Sequence, residues 1–286
     1  MRPVAADVRG SARNDAATTN GRLPTGGRQP QGRFMTAENI ALEQHDGIAV
    51  IRMKRPPANA ITFEFARDLA AGFEAVLKTD AKALVVTGSG AFFSGGLDLN
   101  IIPSYSASEQ RRFLELLNRM IGALYACPLP HVAAVNGHAI AGAFVLALTA
   151  DYRVGPTGDG RFGLTEARVG IPFPAVPAVV VQAELSPVDV RYTTLQARNY
   201  GPDEAVARGL FDELQPPAKV LERAIEVARD LASMPAGAYA RIKHQFRAEA
   251  IARIEQLNAE QSDPMLESWV DDEAVPAAQA ILRTPR

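Results

Sequence analysis

The chain has 286 residues, of which 47% are hydrophobic and 22% are charged, and its formal net charge at pH 7 is -2. This balance is typical of a globular protein with a sizeable core, and it excludes the basic excess that marks nucleic-acid-binding proteins. The single cysteine, Cys127, excludes an internal disulfide framework, and no apolar run reaches the roughly 18 residues that a membrane helix requires. We expect a cytoplasmic protein with no nucleic-acid or membrane partner.

The segment 1–34 differs in composition from the rest of the chain. It contains six arginines and only two acidic residues, is rich in Gly, Ala, Pro and Thr, and shows no hydrophobic periodicity. Such a segment cannot bury enough apolar surface to offset the entropy of ordering, so we predict a disordered extension. An arginine-rich leader is also typical of organelle transit peptides, but Gly and Pro interrupt any amphipathic helix here. Met35 precedes the first patterned residues, which leaves a later translation start open.

The first patterned segment, after Asn39, predicts a β-hairpin followed by a helix. The sequence IALEQHDGIAVIRMK contains two strand-like runs joined by Asp46-Gly47, a dipeptide typical of tight hairpin turns. After the loop RPPANAI, a helix is predicted to begin at Thr62. Its apolar face consists of Phe65, Leu69, Phe73 and Val76.

Buried strands and helices then alternate. ALVVTG (83–88) and HVAAVN (131–136) are short apolar runs of the kind found in strands covered on both faces, and DYRV is a further short strand. Helical periodicity is present over 107–126 and, in the last third of the chain, over 217–234 and 238–257. The pattern predicts an α/β core followed by a helical C-terminal module, whose remaining apolar surface suits subunit contacts.

Two glycine-rich loops follow two of the buried strands: FFSGGLDL after 83–88 and NGHAIAGAF after 131–136. Glycine permits positive φ and close approach of the backbone to a ligand, and a helix that begins in such a loop leaves N–H groups unpaired. Two such donors, one from each loop, could converge on one oxygen atom as an oxyanion hole. Plain turn geometry is the alternative, because glycine turns after strands are common in α/β folds.

At this point four segments resemble one family. GIAVIRMKRPPANAIT, ALVVTGSGAFFSGGLDL, LPHVAAVNGHAIAGAFVLALTADYRV and RFGLTEARVGIPFP, in that order, look like the crotonase superfamily of acyl-CoA hydratases and isomerases. The resemblance covers about residues 40–215. It implies a spiral of repeated ββα turns over 35–200, and a helical trimerisation region over 201–286 in a homotrimer or dimer of trimers. It also implies an acyl-CoA thioester as the substrate, with no cofactor.

The resemblance assigns roles to single residues. The first oxyanion N–H is implied at Leu97, just before the Asp of the FSxGxD motif, and the second at Gly142, the centre of the small-residue triplet in NGxAxGG. Asp98 is expected to hold its loop. Lys54 and Arg55 would either meet CoA phosphates or end a solvated strand. The implied pocket for CoA and pantetheine comprises the backbone at Ala58, Ala60, Gly95, Gly96, Leu99 and Ala141, together with Asp98.

One family glutamate is absent and one is present. Hydratases of this family carry a glutamate three residues after the oxyanion glycine, where this chain has Val145. The second family glutamate, in the FGxPE motif, is present as Glu166. A lone carboxylate in an apolar pocket has a raised pKa, which suits a group that takes and returns a proton.

A single base favours isomerisation over hydration. It can remove a proton from C2 of a 3-enoyl thioester and return it at C4, but it cannot easily activate water and also protonate carbon. The segment GLTEARVGI also resembles the GLNExxLGI form of Δ3,Δ2-enoyl-CoA isomerases. The leading hypothesis is therefore an enoyl-CoA isomerase with Glu166 as the base. Hydration of 2-enoyl-CoA, decarboxylation and thioester hydrolysis stay open, as does an acyl-CoA-binding protein without turnover, in which Arg168 would pair with Glu166.

The remaining expectations concern the acyl chain and the histidines. The segments 101–113 and 171–181 are expected to line the acyl-chain pocket, because they lie beside the two motifs. His45, His131, His138 and His244 fall on no family catalytic position, so each is interpreted as structural. His138 lies in a glycine loop and is the one that could approach the pocket. No cluster of residues has metal-ligand spacing.

Overall fold

The computed structural model describes residues 32–264, 269–270 and 276. Its strands form two sheets. A seven-stranded sheet has the order β1-β2-β3-β4-β6-β8-β11, and a four-stranded sheet has the order β10-β9-β7-β5. The strands are β1 (Gly32–Thr36), β2 (Ile40–His45), β3 (Ile48–Met53), β4 (Ala83–Thr87), β5 (Phe92–Ser94), β6 (His131–Ala134), β7 (His138–Ile140), β8 (Tyr152–Pro156), β9 (Phe162–Gly163), β10 (Asn199–Tyr200) and β11 (Glu213–Gln215).

The predicted hairpin is confirmed. Strands β2 and β3 pair antiparallel from Ile40 opposite Met53 to His45 opposite Ile48. Asp46 and Gly47 form the turn with φ of 51° and 84°, the left-handed backbone that a tight hairpin requires. The other predicted strands, β4, β6 and β8, pair parallel to one another in the centre of the large sheet.

The helices that the periodicity predicts are also present. The first begins after Thr62, whose hydroxyl accepts a hydrogen bond from the amide of Phe65, and the second begins after Ser106 with a capping box to Glu109. The α-helices are α1 (Phe63–Leu77), α2 (Ala107–Tyr125), α3 (Gly142–Leu148), α4 (Glu166–Val169), α5 (Ala175–Glu184), α6 (Pro187–Val190), α7 (Pro202–Ala207), α8 (Val220–Leu231) and α9 (Ala236–Glu260). In the described ranges no helix is long and apolar enough to cross a membrane.

The second sheet is the main departure from the sequence-based prediction. Strands β5 and β7 lie in segments that we predicted as glycine-rich loops, and that prediction was wrong, whereas no prediction was made for the segments of β9 and β10. These strands have two or three residues each, which is too short for an alternating pattern to be visible in the sequence. Because β5, β7 and β9 follow β4, β6 and β8 and each precedes a helix, the chain repeats a ββα turn. The predicted α/β, crotonase-like spiral is thereby confirmed.

Both faces of the large sheet are covered. On one face, Val50, Val85, Val132 and Val154 pack against α8, through Val220, Ala224, Val227 and Ala228. The opposite face contributes Ile51, Leu84, Val86 and Ala133 to the main core, which also contains α1, α2 and α5. The helical C-terminal region is therefore part of the body of the fold, since it closes one side of the sheet.

Helix α9 is attached to the core by a buried group of charges. Asp151 accepts from Lys243 Nζ at 2.8 Å and from the Tyr239 hydroxyl at 3.0 Å, and it pairs with Arg247 at 3.3 Å. Arg247 also donates to the carbonyl oxygen of Tyr125 at 3.0 Å. These contacts hold the first half of α9 against the loops that end α2 and α3.

The start of the described structure lies within the predicted N-terminal extension. Strand β1 begins at Gly32, and Gly32 and Arg33 pair with Gln44 and Glu43 of β2. Residues 1–31 lie outside the described residues, so the disorder predicted for them stays a prediction, whereas residues 32–34 of the predicted extension belong to a strand. The boundary at residue 200 between core and C-terminal region also stays a prediction.

Candidate active site

One large cavity collects the residues that the sequence motifs single out. Its volume is about 890 Å³. The predicted site residues in its wall are Ala58, Ala60, Gly95, Leu97, Asp98, Leu99, Ala141, Gly142 and Glu166. Two of the predicted residues are not in the described wall: Lys54, and Gly96, which packs against Ile140 and Ala141.

Gly96 lets the two glycine loops touch. Its φ is +81°, and a Cβ atom added there would lie 2.7 Å from the carbonyl oxygen of Ile140 and 3.0 Å from Cβ of Ala141. The same added atom would lie 3.6 Å from the amide nitrogen of Gly142. Only a residue without a side chain fits, so glycine here brings the backbone beside Leu97 against the start of α3.

The amide of Leu97 is directed by a parallel bridge to Ile61. Ile61 donates to the carbonyl oxygen of Gly96 at 2.8 Å and accepts from the amide of Asp98 at 3.0 Å. Because Ile61 bonds to the residues on either side of Leu97, the N–H of Leu97 points away from Ile61. Within the described chain this N–H has no hydrogen-bond acceptor.

The amide of Gly142 is the first of helix α3. The preceding residue, Ala141, has φ 58° and ψ -134°, a conformation strained for a residue with a side chain, and its own N–H donates to the carbonyl oxygen of Gly163 at 2.8 Å. Among the described residues the N–H of Gly142 also lacks an acceptor. Leu97 and Gly142 both line this cavity, so two amides without a protein acceptor belong to residues of one wall.

Glu166 is the ionisable side chain best suited to proton transfer in this cavity. It is 6% exposed, and its Oε2 atom has no hydrogen-bond partner within the described structure. Burial raises the pKa of Glu166 to about 8, while a bond to its own backbone amide opposes that rise. The carboxyl group can therefore exchange a proton near neutral pH.

The salt bridge between Glu166 and Arg168 that we considered is not formed. Arg168 donates instead to the carbonyl oxygens of Ala197 at 2.7 Å and Gln196 at 3.4 Å. Glu166 and Arg168 are two positions apart in α4, and side chains at that spacing point to different sides of a helix. Glu166 therefore keeps its raised pKa without a cation to lower it.

The position one turn after Gly142 carries no carboxylate. Val145 is 1% exposed, lies in the cavity wall and is flanked by the buried side chains of Phe144 and Leu146. The carboxylates in the described wall are Asp98, Asp159 and Glu166. Asp98 pairs with Arg55 at 2.9 Å, and Asp159 is exposed, which leaves Glu166 as the buried and unpaired one.

Only part of the predicted acyl-chain pocket lines the cavity. The segment 171–181 contributes Ile171, Pro172, Phe173, Pro174 and Pro177 to the wall, and its role in holding an acyl chain stays a prediction. The segment 101–113 contributes no residue to the described wall, and that half of the prediction was wrong. Its place is taken by Leu117, Met120 and Ile121 of α2 and by Trp269. The helical periodicity of α2 contained this signal, since Leu117 and Met120 lie on its apolar face.

A second, smaller cavity adjoins the first. Its volume is about 410 Å³, and its wall shares Glu166, Ile171, Pro172 and Phe173 with the large cavity. The rest of its wall comes mainly from α5 and from the turn Arg191–Leu195. The shared residues thus form a mostly apolar partition in which Glu166 is the ionisable group.

The histidines have structural surroundings. His138 reaches the cavity wall as expected, but its Nδ1 accepts from the amide of Arg161 at 3.2 Å, and its ring lies 4.8 Å from that of Phe92. His131 is fully buried, and burial lowers its pKa to about 3, so the ring is neutral. In the described ranges, no group of three His, Cys, Asp or Glu residues could hold a metal ion.

Comparisons with known proteins agree with this architecture. Residues 43–277 match the family model for enoyl-CoA hydratase/isomerase. A protein of Mycobacterium tuberculosis named probable enoyl-CoA hydratase EchA17 is 32% identical over 206 residues, which cover 70% of this chain and 77% of that protein.

Solved structures share the fold. The apo structure of an M. tuberculosis enoyl-CoA isomerase has a TM-score of 0.72 at 29% identity, covering 78% of this chain and 99% of the other. Human mitochondrial Δ3,Δ2-enoyl-CoA isomerase has a TM-score of 0.79 at 23% identity, covering 86% and 97%. The repeated ββα fold, the cavity between the glycine loops and these matches together show that the chain belongs to the enoyl-CoA hydratase/isomerase family of the crotonase superfamily.

Proposed function

We propose that the protein is a Δ3,Δ2-enoyl-CoA isomerase with Glu166 as its single acid/base residue. The observation that carries this proposal is the contrast between two positions in one cavity. Glu166 is buried, unpaired and has a raised pKa, whereas the apolar side chain of Val145 occupies the position of the second carboxylate. Such a site can move one proton, and its described wall offers no second buried, unpaired carboxylate to activate water.

The proposed reaction has two proton transfers. The carboxylate of Glu166 removes a proton from C2 of a 3-enoyl thioester, and the electrons move into a dienolate whose negative charge rests on the thioester oxygen. The amides of Leu97 and Gly142 donate to that oxygen, which stabilises the charged intermediate more than the neutral substrate. The protonated Glu166 then returns the proton to C4, giving the conjugated 2-enoyl thioester.

The rest of the cavity suits an acyl-CoA. Backbone at Ala58, Ala60, Gly95 and Leu99 would receive the pantetheine and nucleotide portions, and the apolar residues of α2 and 171–177 would receive the acyl chain. We propose no cofactor, because the thioester itself supplies the acidic C–H bond. Exposed Ile242 and Phe246 on one side of α9 favour a contact between subunits, and the family resemblance implies that this contact forms a homotrimer or a dimer of trimers.

Hydration of 2-enoyl-CoA is the second candidate. The mycobacterial EchA17 relatives carry the name probable enoyl-CoA hydratase, and their similarity to this chain extends over most of its length. A hydratase would need a group other than residue 145 to orient water. Binding of acyl-CoA without turnover is less favoured, because the salt bridge that would give Glu166 a structural role is missing.

Replacement of Glu166 by Gln tests the proposed base. We expect Glu166→Gln to lower kcat for 3-hexenoyl-CoA by about 10²–10⁴-fold, because the amide cannot accept the C2 proton. The Kd for hexanoyl-CoA, measured by calorimetry, should change less than about threefold, because the cavity keeps its shape.

The control for Glu166→Gln is the same substitution at an exposed glutamate. Glu74→Gln removes an exposed carboxylate on α1 and should leave both kcat and Kd unchanged. Isomerase activity in Glu166→Gln equal to that of the unsubstituted chain would contradict the single-base mechanism.

A further inference from the structure

An ion pair lies inside the large cavity, beside the Leu97 amide. Arg55 Nη2 is 2.9 Å from Asp98 Oδ2, and Arg55 Nη1 donates to the carbonyl oxygen of Ala60 at 3.2 Å. Asp98 directly follows Leu97 in the chain, and it is 8% exposed. One guanidinium group therefore contacts both chain segments at this point: the segment of Ile61 through the carbonyl oxygen of Ala60, and the segment of Leu97 through the side chain of Asp98.

The contacts of Arg55 lie on either side of the bridge that directs the Leu97 N–H. Ala60 precedes Ile61, and Asp98 follows Leu97. Arg55 therefore links the two segments beside the hydrogen bonds that Ile61 makes to Gly96 and Asp98. The other carboxylate oxygen, Asp98 Oδ1, accepts from the amide of Asn100 at 3.1 Å, which closes the loop on its far side. The side chain of Arg55 thus supports the two segments that direct the Leu97 N–H, although Arg55 makes no bond in the Ile61–Leu97 bridge itself.

We propose that Arg55 is a positioning residue that holds the Leu97 N–H in the direction needed to stabilise the enolate oxygen. This inference rests on the proposed function, since it requires a thioester enolate in the cavity. Hydrogen-bond donors stabilise a developing charge only when they are fixed in advance, and small displacements weaken them strongly. The planar guanidinium fork fixes two acceptors at a set angle, which the single ammonium group of a lysine does not do.

Binding of a CoA phosphate is the alternative role for Arg55. Two of its terminal nitrogens are already bonded within the protein, and the adjacent Asp98 carboxylate cancels much of the attraction for an anion. Positioning of the Leu97 amide and binding of a phosphate by Arg55 can be told apart by the part of the substrate that each one affects. Positioning of the amide affects any thioester, whereas phosphate binding affects only substrates that carry the nucleotide.

The experiment compares hexanoyl-CoA with hexanoyl-pantetheine, which lacks the nucleotide and its phosphates. The measured rate is deuterium exchange at C2 in D2O, which reports enolate formation without isomerisation or hydration. The variants are Arg55→Lys and the double variant Arg55→Met/Asp98→Asn. The double variant removes both charges, so no buried carboxylate is left unpaired. Arg67→Met, which replaces an exposed arginine on α1, is the matched control.

We expect both test variants to lower the saturated exchange rate about tenfold with both thioesters, with KM changed less than about twofold. The control should match the unsubstituted protein. A raised KM with unchanged rate, seen only with hexanoyl-CoA, would overturn the proposal in favour of phosphate binding. Unchanged rates and KM in both variants would overturn it too.

The isomerase assignment and the positioning role of Arg55 can be refuted independently of each other. A protein that exchanges C2 but does not isomerise 3-enoyl thioesters would refute the isomerase assignment, and the Arg55 comparison would still decide the positioning role. A protein that neither exchanges C2 nor isomerises 3-enoyl thioesters would refute both, because no enolate would form for the Leu97 amide to stabilise.

Discussion

The protonation state of Glu166 is determined by its burial more than by the ordinary pKa of a carboxyl group. A carboxyl group in water is ionised at neutral pH, but burial of Glu166 with one oxygen unbonded raises its pKa to about 8. A weak acid of this strength can accept a proton from carbon and return it at physiological pH. The same burial makes the group sensitive to pH in the range where the protein would work.

The pH dependence of the rate follows from this pKa. Proton abstraction needs the carboxylate, which in the free protein forms as the pH rises toward about 8. We expect kcat/KM for 3-hexenoyl-CoA to increase with pH and to level off above that value. A profile that is flat between about pH 6 and about pH 9 would contradict a base with this pKa.

Stability measurements isolate the same titration from substrate binding. Since the pKa is higher in the folded than in the unfolded chain, the protonated group favours folding below its ordinary pKa, and this contribution is lost as the pH rises toward about 8. Glu166→Gln does not ionise. Its free energy of unfolding relative to the unsubstituted chain should therefore increase between about pH 4.5 and about pH 8 and then stay constant.

At the scale of single residues, the motifs predict which residues line the cavity better than they predict the hydrogen bonds of individual side chains. Glu166, Leu97 and Gly142 line one cavity as expected from their motifs. The contacts of Arg168 and Arg55 were not predictable, because a long side chain can reach partners in several directions. The choice depends on backbone carbonyls that the fold brings near, such as those of Ala197 and Ala60.

At the scale of secondary structure, length separates what could be predicted from what could not. Strands such as β3 and β4, with five or six residues, show their burial in the sequence. The second sheet is built from β5, β7, β9 and β10, whose two or three residues carry no period. These short strands set the path of the glycine loops, so the family resemblance was needed to anticipate the site.

The contact between the two glycine loops can be tested at Gly96. We expect Gly96→Ala to lower kcat by about 10²–10³-fold, as for loss of an oxyanion donor, because the added Cβ would push the Leu97 segment away from Ile140 and Ala141. The measurement is steady-state kinetics with 3-hexenoyl-CoA, with thermal unfolding to confirm the fold.

Gly90→Ala is the control for backbone strain. Gly90 has φ +74°, but an added Cβ there meets nothing within 4 Å. This variant carries the strain of a left-handed residue without the clash, so its stability should fall while kcat stays unchanged. Equal kcat values for the two variants would contradict the role given to the Gly96 contact.

At the scale of the whole molecule, the N-terminal segment contributes an edge strand. Within the described part of the chain, strand β1 lies at the edge of the large sheet and pairs with β2 through Gly32, Arg33, Met35 and Thr36. The cavity lies away from this edge, in the loops that follow the central strands. The N-terminal segment should therefore influence stability more than activity.

Truncation tests this expectation. A chain that begins at Met35 loses the pairs made by Gly32 and Arg33 and keeps those made by Met35 and Thr36. We expect unchanged kcat and KM and a melting temperature lower by a few degrees at most, compared with a chain that begins at Gly32. Loss of folding or activity on starting at Met35 would show that the edge pairing or the upstream residues are essential.

The proposed isomerase activity depends on a single carboxylate, Glu166, with valine at the second family position. It is tested by a side-by-side assay of the purified protein with 3-hexenoyl-CoA and 2-hexenoyl-CoA. We predict conversion of the 3-enoyl thioester to the 2-enoyl form without hydration of the latter. Rapid hydration of 2-hexenoyl-CoA would contradict it, because another group would then have to hold the water that Val145 cannot.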